Sequence, residues 1–161
     1  MTGLRYAPVN RQERDMRYYD RVINYYETDQ MGVVHHSNYI RYFEEARCSF
    51  MEQAGYPYAR LEAEEIMSPA LAVSCRYIHP VRYGDKIRIA VRMVRLTRLK
   101  CAFTYEITDA STGEIRARGT SEHGFISREG RPVILPREKP EFYAVCQTEY
   151  ERDRVTEDEQ D

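Results

Sequence analysis

No apolar run in the 161 residues approaches the ~20 residues that a helix needs to cross a bilayer. Residues 1–15 carry charges but no apolar h-region, so no secretory signal is expected and the protein reads as cytoplasmic. The four cysteines, Cys48, Cys75, Cys101 and Cys146, are widely spaced and include no CxxC pair. That spacing argues against a zinc ribbon or redox dithiol and for reduced thiols. Internal repeats and low-complexity linkers are also missing, so nothing divides the chain into several domains. What remains is 42% hydrophobic and 31% charged, neither disordered nor fibrous, and long enough to bury a core without covalent staples.

The net charge of −2 hides an asymmetry. Residues 149–161 hold seven acids and two arginines, which leaves the rest of the chain net basic. Between Arg76 and Lys100 stand eight basic residues and a single acid, Asp85. Such a stretch suits a phosphate-bearing ligand or a nucleic acid, and equally the solvated face of a sheet. Residues 1–15 read as a flexible arm, 16–148 as the folded body and 149–161 as an acidic tail. Neither end shows apolar periodicity, so neither is expected to contribute to the core.

Arg17 to Tyr26, rich in Tyr, Val and Ile, predicts a first strand. Ser37 to Ala54 predicts one long helix, with Tyr39, Tyr42, Phe43, Ala46, Phe50 and Ala54 on one face and Gly55 and Pro57 as stop signals. Four alternating patterns follow, near 71–79, 86–96, 99–108 and 114–127, with a change of phase near Met93 that predicts a bulge. Short links between them predict an antiparallel meander. The fold class is α+β, simplest as an antiparallel sheet wrapped around the helix.

The chemistry concentrates in Tyr25-Tyr26-Glu27-Thr28-Asp29-Gln30-Met31-Gly32-Val33-Val34-His35-His36-Ser37-Asn38-Tyr39. A helix start offers unpaired N–H groups and the positive end of a dipole, which can hold an oxyanion. Asp29 beside it can act as base or nucleophile, and Gly32 lets the backbone turn tightly or approach a ligand closely. The residues alone equally allow Asp29 to cap a loop with both histidines on the surface. A His35/His36/His79 metal cluster is not expected, since adjacent side chains should point apart. His123 is expected to face inward as a core histidine.

The run YYETDQMGVVHHSNYIRYFEEAR resembles the signature of the YbgC/4-hydroxybenzoyl-CoA thioesterase branch of the hotdog-fold superfamily. Tyr77-Ile78-His79-Pro80-Val81-Arg82-Tyr83-Gly84-Asp85 resembles that family's turn into its third strand. Gly130-Arg131-Pro132-Val133-Ile134-Leu135-Pro136 resembles its closing segment. The likeness runs in order from Arg17 to Tyr143. It implies a hotdog fold, a homodimer or homotetramer with the site at the interface, and hydrolysis of an acyl-CoA thioester to acid and CoA. Asp29 then occupies the catalytic position and His36 the oxyanion position, its imidazole also able to orient water. Gly32, Val33 and Tyr39 would border the substrate, with no cofactor or metal. Arg82, Arg98, Arg128 and Lys100 are loose candidates for CoA phosphates. Glu27 is a mild departure from the acid usual there, and no Ser or Thr near Lys100 matches the one some members use. Non-catalytic rivals are an acyl-CoA sensor or an RNA-binding module on the basic strands, although no nucleic-acid partner is expected.

Overall fold

The computed structural model describes residues 16–158, with side chains through 154. The expected arm, 1–15, lies outside the described residues, as do 159–161. Strand β1 (Arg17–Val22) is followed by a 3-10 turn (Tyr25–Glu27), helix α1 (Asn38–Gln53) and helix α2 (Tyr58–Ala63). Then come β2 (Ile66–Met67), β3 (Ala70–Tyr77), β4 (Lys86–Leu96), β5 (Lys100–Asp109), β6 (Ile115–Gly124) and β7 (Ile126–Ser127). Helices α3 (Leu135–Glu138) and α4 (Pro140–Asp158) close the chain. Among the described residues no helix is long and apolar enough to cross a membrane.

The main sheet has the order β1-β4-β5-β6-β3, and its pairs are antiparallel. β4, β5 and β6 form the expected meander. β3 departs from it: this strand pairs with β6 rather than with β4, its successor, and so becomes an edge. The first strand stops at Val22, four residues short of the expected end, because the chain turns into the 3-10 segment. The bulge expected near Met93 is present as a register shift between Met93 and Arg95.

Period-two patterning explains why the sheet has an inside. Ile87, Ile89, Val91 and Met93 of β4 and Cys101, Phe103, Tyr105 and Ile107 of β5 are buried. Their neighbours on the other phase, such as Arg88, Ala90, Thr104 and Glu106, form the outer face. α1 lays Tyr39, Tyr42, Phe43, Ala46 and Phe50 onto the inner face, all buried. Phe43 stacks on Tyr105 with centroids 4.5 Å apart, and Phe50 meets Phe103 edge-on at 5.4 Å. Each such side chain contributes about 1.5–3 kcal/mol through burial. The interior histidine is as expected: His123 is fully buried, and its Nε2 lies 2.7 Å from Ser121 Oγ.

The C-terminal segment corrects the reading of an acidic tail. α4 runs through residue 149, and Glu149 and Asp153 are buried with Phe142 and Cys146. Glu149 takes two hydrogen bonds from Arg17, at 3.0 and 3.2 Å. Asp153 accepts the Met93 N–H at 2.8 Å, beside the bulge in β4. Burial pushes the Asp153 carboxyl above the usual range, while Arg152 and that N–H pull the other way. These acids dock the helix on the body because each finds a donor there.

Candidate active site

The segment between β1 and α1 is folded by its own hydrogen bonds. Asp29 N–H donates to the Val33 carbonyl at 2.8 Å, and Gly32 N–H donates to the Asp29 carbonyl at 2.9 Å. Gly32 has φ +74°, the left-handed conformation in which a side chain is strained. Thr28 and Val34 then bridge across the base of the turn. The Asp29 side chain belongs to the same device, since its Oδ1 accepts the Met31 N–H at 2.8 Å. One carboxylate oxygen thus holds the loop, and Oδ2 has no protein donor among the described residues.

Glu27 has a different task. It is buried, bonds Arg21 Nη2 at 2.6 Å and takes the Asn24 N–H at 2.7 Å. It is a structural acid that closes the 3-10 turn, rather than a spare carboxylate near the chemistry. Its carbonyl accepts the His35 N–H and Asn38 Nδ2 at 2.9 and 2.8 Å, fixing the entry into α1.

His36 stands two residues before α1. Its carbonyl accepts a hydrogen bond from the Tyr77 hydroxyl at 3.0 Å, and its backbone N–H has no acceptor among the described residues. His35 bonds Ser37 through Nδ1 at 2.7 Å. The two imidazoles do not point apart as expected: their rings lie 4.1 Å from each other. Among the described residues, no three of His, Cys, Asp or Glu gather as a metal site.

A cavity of about 300 Å³ opens at this point. Four residues anticipated from the sequence come together in its wall: Asp29, Val33, His36 and Tyr39. Gly32 does not line it; this residue shapes the turn, and Arg82 Nη1 donates to its carbonyl at 3.3 Å. The rest of the wall, Tyr77 to Pro80 with Met31 and Val34, escaped the site reading. The Tyr77–Pro80 motif was visible, but its proximity to Asp29 depends on β3 being an edge. Burial first, then the nearby Cys75 and Tyr77, push the Tyr39 phenol up to about 12, so it stays neutral. A carboxylate, a helix start and apolar walls in one cleft can receive a thioester carbonyl and its apolar substituent.

The chain matches the thioesterase-like superfamily over residues 23–148. A candidate esterase of Aquifex aeolicus is 33% identical over 120 residues, or 74% of this chain and 91% of that protein. YneP of Bacillus subtilis, a candidate acyl-CoA thioesterase, is 28% identical over 131 residues, covering 81% and 91%. The solved DHNA-CoA thioesterase of Staphylococcus aureus superposes with a TM-score of 0.81 at 27% identity, covering 91% of this chain and 95% of that one.

Proposed function

The chain belongs to the thioesterase-like superfamily, a hotdog-fold thioester hydrolase acting on CoA thioesters, and from that premise we propose that Asp29 and the start of α1 carry out the hydrolysis. The observation that supports this most is that Asp29 and His36 line one cleft with apolar partners. In the general-base route Asp29 takes a proton from water, and the water oxygen attacks the thioester carbon. The His36 N–H and the positive end of the α1 dipole stabilise the oxyanion. The intermediate collapses by breaking the carbon–sulfur bond, and the CoA thiolate leaves and takes up a proton. In the nucleophilic route the Asp29 carboxylate attacks instead, expels the thiolate and forms an anhydride, which water opens by attacking the Asp29 carbonyl and releasing the acyl carboxylate. Labelled water separates the two: in a single turnover ¹⁸O enters the product acid in the first and Asp29 in the second.

The cleft lies beside the edge of β3, which has no further strand partner among the described residues; Leu71, Val73, Tyr77 and Ile78 are exposed there, and Ile40 of α1 is exposed as well. An open, apolar strand edge invites pairing, so we infer that a second copy of the chain covers it and closes the site. The reading is tested with acyl-CoAs of short, long and aromatic acyl groups, followed by release of free thiol. Turnover of at least one class supports it. Binding without turnover across the panel would favour a sensor.

A further inference from the structure

The outer face of the sheet carries a second, larger concavity of about 770 Å³, formed by β3, β4, β5 and β6. We propose that this groove binds a diphosphate-bearing ligand. Its floor is small and hydroxylated: Thr104, Thr120 and Ser74 are consecutive partners across three strands, with Ser74 Oγ 2.6 Å from Thr120 Oγ1. Its rim is basic. Arg92 stands on β4 at one side, and Arg118 and Arg76 on β6 and β3 at the other. β4 and β3 are three strand spacings apart, about 14 Å, a gap that the long side chains of Arg92 and Arg76 can close on a pair of linked phosphates held between them.

Two features separate this arrangement from an ordinary solvated face. Arg76 and Arg92 make no ion pair or hydrogen bond with any described residue, whereas Arg118 is held by Glu106 at 2.9 Å. Arg76 and Arg118 are also direct register partners, and like charges placed opposite one another on a sheet destabilise it. Among the described residues Glu106 is the single acid lining the groove, and it is already engaged. A doubly charged oxyanion group would relieve the repulsion and supply acceptors to both open guanidinium groups, the geometry in which arginine binds phosphate best. Arg76 and Arg92 come from the basic stretch noted in the sequence, none of whose arginines or lysines lines the catalytic cleft.

The diphosphate has two possible sources: the nucleotide arm of the thioester substrate, or a separate nucleoside diphosphate. Cys75 and Arg76 line the groove while Tyr77 to Pro80 line the catalytic cleft, so one strand separates the two. The first source rests on the proposed function; the binding itself does not. Calorimetric titration of the full chain with inorganic pyrophosphate should show saturable uptake that weakens with salt, since screening acts over about 8 Å at physiological ionic strength. The double variant Arg76→Gln, Arg92→Gln should bind about tenfold or more weakly. Glu106→Gln should bind more tightly. Pyrophosphate that inhibits thioester hydrolysis competitively assigns the groove to the substrate arm, and saturating pyrophosphate without inhibition assigns it to a separate ligand. No saturable uptake, or an affinity indifferent to the arginine changes in a variant of unchanged melting temperature, would overturn the proposal.

Discussion

The Tyr77 hydroxyl donates to the His36 carbonyl at 3.0 Å, tying the edge strand β3 to the turn that enters α1. The Tyr77 ring also meets Tyr39 edge-on at 4.9 Å. The bond thus anchors the carbonyl side of His36, whose N–H is the proposed oxyanion donor, to a tyrosine that is itself packed on α1. Tyr77→Phe keeps the ring contact and removes only the hydrogen bond, worth about 1 kcal/mol net. We expect kcat to fall roughly fivefold with little change in melting temperature. An unchanged kcat would mean that the bond does not position the site.

Gly119 of β6 lies directly against Phe43 of α1. A Cβ there would lie 2.2 Å from Phe43 Cε2 and 2.7 Å from the Ser74 carbonyl oxygen. Backbone on one side and a buried ring stacked on Tyr105 on the other leave no room to yield. Gly119→Ala should destabilise the protein by about 3 kcal/mol, the upper part of the range for overpacking. Urea unfolding reads this directly, and a midpoint equal to that of the parent would contradict the packing.

Burial, and the nearby positive charge of Arg47, lower His123 from 6.5 to about 4. The folded state therefore favours the neutral ring, while the unfolded chain protonates it near 6.5. The stability this confers is present above pH 6.5 and is lost as pH falls from there towards 4. Its size is up to roughly 3 kcal/mol. The difference in unfolding free energy between the parent and His123→Asn should shrink on acidification across that window. A difference constant with pH would show that His123 titrates alike folded and unfolded.

Helix α4 is fastened by Glu149 to Arg17 and by Asp153 to the Met93 N–H. Deleting residues 149–161 strips both partners at once and leaves Arg17 without its carboxylate. A loss of about 3 kcal/mol or more is expected, seen as a lower melting temperature. An unaltered melting temperature would return these residues to the status of a tail.

The long helix and the meander were legible because Phe43, Phe50, Ile87, Val91, Phe103 and Ile107 repeat at the helical and strand periods. α4 was not, for a physical reason. Its buried stripe is Phe142, Cys146, Glu149 and Asp153, helical in spacing but half carboxylate, so a hydrophobicity pattern cannot see it. The cleft divides in the same way. Asp29, Val33, His36 and Tyr39 are close in sequence and could be grouped by spacing. Tyr77 to Pro80 reach them only because β3 pairs with β6, a long-range choice that local periodicity does not carry. Gly32 was placed correctly as a turn residue but not as part of the wall.

The most direct measurement is the turnover of Asp29→Asn with an acyl-CoA that the parent hydrolyses. Asparagine keeps an oxygen that can accept the Met31 N–H, so the turn should survive. It removes the negative charge and the basicity that either chemical route needs. The account predicts a loss in kcat of about 10²–10⁴-fold, with the melting temperature and CoA affinity close to those of the parent. Near-normal hydrolysis by a well-folded Asp29→Asn protein would contradict the assignment of the catalytic carboxylate.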